Sequence, residues 1–235
     1  MTKNLTVGAD YKMSKKNLSE LVMLSAKSIF EGEQNPVEPE KLISLVKQAL
    51  QLSDWLSQEI NKRNIPDIEK IVCKHGCAWC CYMQVGVSAP EVFAIADYLA
   101  NNKSTLSLDD AKIRLTSLDH KTNNLSAISR LATQQPCAFL VNNSCSIYEV
   151  RPLACRGSNS IDSERCRLHV EDIDDLLNEK KYTSTPWIHD IPFSIMSTLR
   201  EGMTAGIEEW GIYHVKLELT AAVRIAVEDP NAIED

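Results

Sequence analysis

At 235 residues the chain is long enough to bury a sizeable core, and its 44% hydrophobic and 24% charged content is that of a globular protein rather than a disordered one. A net charge of −7 excludes a broad nucleic-acid footprint, which needs clustered Lys and Arg to displace counterions, and it disfavours adsorption to anionic lipid. With 6% aromatic residues and eight glycines, a turn-rich barrel or sandwich is disfavoured and helices are favoured.

The opening stretch, MTKNLTVGADYKMSKK, has no apolar run and therefore no secretory core. Apolar residues then recur with a helical rhythm from Leu18 to Phe30, until EGEQNPVEPE breaks it with a glycine and two prolines. A longer amphipathic helix is predicted from Leu42 to Ile60, stopping near Pro66. After a cysteine-dense knot, VSAPEVFAIADYLANN reads as a capped helix. Ser88 is the N-cap, Pro90 lies in the first turn, and Glu91 complements the positive helix end. SLDDAKIRLTSLDHKTNNLSAISRLATQ is a further helical stretch with an interruption at Asn123–Asn124. CAFLVNNSCSIY carries the one strand signal, two short apolar runs joined by Asn-Asn-Ser, a hairpin pattern. Helical periodicity returns at SERCRLHVEDIDDLLNEK, after Pro192, and from Val215 to Ala226.

No later stretch nears the roughly 20 apolar residues that cross a bilayer. The expected compartment is the cytoplasm, where thiols stay reduced. All eight cysteines lie between positions 73 and 166, and both ends have none. The expected organisation is one domain over 1–235: N-terminal helices over 1–66, a cysteine-cluster segment over 67–170, and C-terminal helices over 171–235. The expected fold class is mainly α, a helical domain wrapped around a cysteine-rich metal-binding segment with one short β-hairpin.

Residues 73 to 81 read CKHGCAWCC. One cysteine is commonly a small buried hydrophobe, but four within nine residues is not explained that way. Ligands two or three residues apart can converge on one ion because a tight turn folds the backbone around it. The candidate metal ligands are Cys73, Cys77, Cys80, Cys81, Cys137, Cys145, Cys155 and Cys166. A disulfide between the neighbours Cys80 and Cys81 would close a strained ring. Either the two serve different metals, or one ligates while the other stays a free nucleophile. Eight thiols suffice for two four-thiolate sites or for one polynuclear cluster, with zinc or an iron–sulfur cluster as cofactor. Four thiolates around Zn²⁺, or around a 4Fe–4S core, leave negative charge to be offset. Arg151 and Arg156, bracketing PLAC, are the residues placed to support the cofactor in that way. His75 and His169 are further candidate ligands, whereas His120, His189 and His214 have no clustered partner. The acidic run EDIDD reads as a solvated helix face and lacks the spacing of a calcium loop.

Two resemblances follow from these motifs. Cys73, Cys77 and Cys80 stand in C-x3-C-x2-C with Trp79 before the third cysteine, which is similar to the spacing of radical S-adenosylmethionine enzymes. The helical flanks and the missing glycine-rich strand do not match those enzymes. The second resemblance covers about 40% of the chain. The knot ending in a cysteine pair, the PEVFAIADYL helix and PCAFLVNNSCSIYEVRPLACR together resemble the YkgJ-type cysteine-cluster family. The most specific positions are Cys145, Tyr148, Arg151, Pro152, Cys155 and Arg156. The resemblance implies a zinc- or iron-chelating domain, related to the cluster of flagellin lysine N-methylases. The family spacing is C-x2-C-x2-C-C, and here three residues separate Cys73 from Cys77.

Two functional readings stay open. The first is a metal-binding protein holding an iron–sulfur cluster or zinc. The second is an iron–sulfur-dependent enzyme modifying a protein side chain, methylase-like, with S-adenosylmethionine as a weaker cofactor expectation. A protein substrate or partner fits either reading, and neither calls for nucleic acid or a membrane. No serine–histidine–acid order, P-loop or dinucleotide glycine motif supports a hydrolase, nucleotidase or Rossmann reading.

Overall fold

Val22, Ala26 and Phe30 recur every fourth residue and are buried, which fixes the inward stripe of the first helix, α1 (Lys15–Phe30). The computed structural model describes residues 15–32, 37–62, 71–74, 76–172, 188–211 and 215–229. The second helix, α2 (Pro39–Lys62), buries Leu42, Leu45, Val46, Ala49, Leu50, Ser53 and Leu56. Both agree with the rhythm of the sequence. Pro66, expected to stop α2, lies outside the described residues, as do His75 and His214.

Seven further α-helices follow among the described residues, one of them a single turn. They are α3 (Ala89–Ala100), α4 (Leu108–Thr122), α5 (Ala127–Ala132), the five-residue α6 (Leu153–Gly157), α7 (Ser163–Glu171), α8 (Asp190–Glu208) and α9 (Leu219–Glu228). The interruption expected at Asn123–Asn124 separates α4 from α5, with Asn124 in the left-handed region at φ 57°. Asparagine tolerates that conformation better than most residues. Pro192 lies in the first turn of α8, where its missing N–H costs nothing. The helical reading of SERCRLHVEDIDDLLNEK is met by α7 as far as Glu171; residues 173–187 lie outside the described residues.

The predicted hairpin is β2 (Leu140–Val141) against β3 (Ser144–Cys145), with Leu140 opposite Cys145. Asn142 and Asn143 at its tip have φ of 50° and 58°, as a two-residue turn with the twist of the strands requires. A second antiparallel pair was not expected. Here β1 (Gly86–Val87) bridges to β4 (Leu217–Glu218), Val87 opposite Leu217. Two-residue strands 130 residues apart leave no periodicity to read, so only the tertiary fold brings them together. The fold is otherwise mainly α. Among the described residues, no helix is long and apolar enough to cross a membrane.

One buried cluster runs from Val22 on α1 to Val227 on α9 and takes in Val92, Phe139 and Leu153 of the cysteine-rich segment. The cysteine loops are thus seated on helices from both ends of the chain. α8 lies along α1 and α6, while α9 lies on α3 and α4. The close approach of α8 to α1 depends on Gly202 and Gly206. A Cβ at Gly202 would overlap the Met23 carbonyl oxygen and stand 2.8 Å from Ala26 Cβ; one at Gly206 would stand 2.7 Å from Phe30 Cβ. Overpacking of this kind costs about 1–3 kcal/mol. Gly202→Ala is therefore expected to lower the urea midpoint, by an amount worth about 2 kcal/mol. An unchanged midpoint would mean that α1 and α8 do not meet face to face.

Candidate metal centre

The cysteines are presented by loops and helix ends rather than by one motif. Cys73 follows Val72, whose N–H donates to the Ser160 carbonyl at 2.8 Å. Gly76, at φ 85°, makes the reversal between Cys73 and Cys77, and the Cys77 N–H donates to the Lys74 carbonyl at 3.0 Å. A side chain at position 76 would be strained in that turn. Cys80 and Cys81 occupy a single turn of 3-10 helix, Trp79–Tyr82. That turn is fastened twice. Trp79, Tyr82 and Met83 pack against Leu131 and Val170, and the Cys137 N–H donates to the Cys81 carbonyl at 2.7 Å. Cys145 sits in β3, Cys155 in α6 and Cys166 in α7. All eight are free thiols; Cys73 and Cys80 are exposed and the other six half-buried.

The leading electrostatic neighbours of the thiols fall into two overlapping sets. Burial pushes the Cys73 thiol up, with Cys77 and Cys80 adding to the rise, and the Ser160 N–H, 3.1 Å from its Sγ, opposes it. Burial also raises Cys166, whose charged neighbours are Cys73, Cys77 and Cys80. The second set is Cys80, Cys81, Cys137, Cys145 and Cys155. Burial pushes Cys137 up to about 12, reinforced by Cys145. Burial raises Cys155 well above its ordinary value, with Cys137, Cys80 and Cys145 adding to it. Cys145 is raised by burial and by Cys80.

Cys80 belongs to both sets. A hydrogen bond from the Cys81 thiol holds Cys80 down to about 7 against its burial, and the same bond pushes Cys81 up. The leading neighbours of Cys81 besides Cys80 are Cys137 and Cys145. At neutral pH most of these thiols therefore carry protons that a metal cation must displace.

The two arginines expected to support a cofactor are placed differently. Arg151 lowers Cys73, Cys80, Cys145 and Cys155, so one guanidinium serves thiols of both sets. It lies over the Tyr148 ring, 4.1 Å from the centroid, and its Nε is buried with no hydrogen-bond partner. Arg156 turns away from the thiols. Its Nε donates to the Arg151 carbonyl at 2.9 Å, Nη2 to the Glu149 carbonyl at 2.6 Å, and Nη1 to Asp54 of α2. It fixes the backbone that carries Arg151, and its own charge is a minor influence on Cys145. Of the candidate histidines, His169 stands on α7 one turn from Cys166, and burial lowers its pKa.

Sequence reasoning missed two residues that hold this arrangement. Ser160 ties Cys73 to the start of α7, which carries Cys166, since its N–H reaches the Cys73 Sγ and its hydroxyl donates to the Asp162 carbonyl at 2.9 Å. Glu91 was read only as a helix-end charge. Its carboxylate also accepts the Leu153 N–H at 2.8 Å, which fixes α6 and Cys155 to α3. Ser160 carries no sequence signal, whereas Glu91 lies within the PEVFAIADYL motif.

The donor set fits a thiophilic metal. Thiolates suit zinc and iron–sulfur clusters, and Arg151 offsets the negative charge that several of them leave. Among the described residues, no three His, Cys, Asp or Glu side chains yet stand in the arrangement one ion requires. Closing on an ion asks thiols that are already neighbours to turn towards it. Residues 72–183 match a family model, CxxCxxCC, described as a "putative zinc- or iron-chelating domain". No curated protein and no solved structure matches the chain.

Proposed function

We propose that all eight cysteines serve metal binding, as zinc thiolate or iron–sulfur sites with Arg151 as the shared counter-charge, a reading supported by the match of residues 72–183 to the zinc- or iron-chelating family model. The observation that carries this reading is the convergence. Thiols from five stretches of chain have one another as leading electrostatic neighbours in two overlapping sets, and Arg151, which acts on both sets, has an unsatisfied, buried Nε. A buried polar atom without a partner is costly, and an anionic metal–thiolate centre would supply its acceptor.

A second reading, an iron–sulfur-dependent enzyme that modifies a protein side chain, is favoured by one feature. Cys73 and Cys80 are exposed, so a centre held by Cys73, Cys77 and Cys80 has an open side, as catalysis requires and a closed structural site does not. S-adenosylmethionine would be its co-substrate on the strength of the spacing alone.

The test is anaerobic purification followed by zinc, iron and acid-labile sulfide content per chain, with a visible spectrum. Stoichiometric zinc without sulfide supports a structural or carrier role. Iron with matching sulfide supports a cluster, and binding of S-adenosylmethionine to that form would favour the enzyme. Protein free of all three after metal-replete expression would defeat the metal reading.

A further inference from the structure

A cavity of about 710 Å³ opens between α2, the end of α3 and the segment 148–151. That volume suits a small molecule, and no cysteine lines it. Arg151 links the two, since it lines the cavity and acts on four cysteines.

On a chain of net charge −7, the lining includes four cations, Lys47, Lys103, Arg151 and Arg156, and two carboxylates, Asp54 and Glu149. The carboxylates are engaged: Asp54 with Arg156, and Glu149 with the Tyr98 hydroxyl. Lys47 is held by Asp97 at 2.7 Å. That leaves Lys103 and Arg151 as cations with no carboxylate partner among the described residues, on a lining that also carries the Tyr98 and Tyr148 rings.

We propose that this cavity binds a small organic oxyanion, a molecule whose carboxylate or phosphate group pairs with Lys103 and Arg151 and whose body lies against the exposed Tyr148. Spare cationic donors beside aromatic faces recognise such a group by charge-assisted hydrogen bonds and stacking. None of its lining residues is a cysteine, so the ligand is held without a metal–ligand bond. Its occupancy would be felt at the thiols through Arg151.

Isothermal titration calorimetry of the full chain, as purified, tests this with citrate as the carboxylate probe and adenosine monophosphate as the phosphate-ester probe. Saturable binding of at least one is expected, weakened tenfold or more by Lys103→Glu and retained by Lys103→Arg. Lys103 is exposed, so its variants should keep the helical circular dichroism and metal content of the parent chain. Lys121→Glu, the same charge change away from the cavity, should leave binding unchanged. Binding of citrate alone assigns a carboxylate ligand, and binding of the nucleotide alone assigns a phosphate ester. Absence of saturable binding for both probes overturns the proposal, as does binding indifferent to Lys103→Glu or equally weakened by Lys121→Glu.

Discussion

Glu91→Ala is expected to destabilise the protein by about 3–5 kcal/mol, on the scale of about 1.5–3 kcal/mol for each hydrogen bond to a charged group. Glu91 is 1% exposed, yet its carboxylate has three donors. The Ser88 N–H reaches it at 2.9 Å, the Ser88 hydroxyl at 2.8 Å, and the Leu153 N–H at 2.8 Å. The first two close the start of α3 in the manner of a capping box. The third crosses 62 positions of sequence and holds the first residue of α6. Alanine would leave two buried backbone N–H groups and a hydroxyl without their acceptor, and nothing else at hand replaces it. Glu91→Gln keeps the volume and one acceptor oxygen but turns an amide donor towards donors, so a loss of about 1–2 kcal/mol is expected. Urea unfolding followed by circular dichroism measures both. The alanine variant should also retain less metal, because α6 carries Cys155 two residues beyond Leu153. A loss of under about 0.5 kcal/mol for the alanine variant, the ordinary range for surface substitutions, would mean that Glu91 is not the tie between α3 and α6.

What was legible in the sequence follows the range of the physics involved. The periodicity of Val22, Ala26 and Phe30 and the Ser88–Glu91 cap act within a few residues, and they locate α1 and the start of α3 directly. Asn142–Asn143 likewise declares its own turn. The pairing of Val87 with Leu217 does not, because each strand is two residues long and finds its partner through the packing of α3 and α9. The cysteines were conspicuous as a set through their density alone. Their grouping was not, since it depends on loop contacts such as Cys137 N–H to Cys81 carbonyl and on Ser160 between Cys73 and the start of α7. Arg151 and Arg156 show the limit most clearly. They bracket the same four residues, and burial sends one side chain towards the thiols and the other to Asp54 and two backbone carbonyls.

Cys80→Ser is expected to lose more metal than any other single cysteine substitution, and more than Cys81→Ser. Serine offers a hard oxygen in place of a soft thiolate and is a poor ligand for zinc or an iron–sulfur cluster. What separates the variants is how many neighbours each thiol serves. Cys80 acts on Cys73 and Cys166 in one set and on Cys145 and Cys155 in the other. Apart from Cys80, the leading neighbours of Cys81 are Cys137 and Cys145, both in the second set. If the sets hold separate centres that share Cys80, Cys166→Ser should empty the set containing Cys73 and Cys77, and Cys155→Ser the set containing Cys137 and Cys145. Each should then leave the other centre's metal in place, and the double variant should remove both. Metal per chain, measured on variants purified side by side and checked for folding by circular dichroism, decides it. Complete and equal loss from Cys155→Ser and Cys166→Ser would instead mean one polynuclear centre drawing on all the thiols. Cys80 would then be one ligand among eight, without the bridging position its neighbours give it.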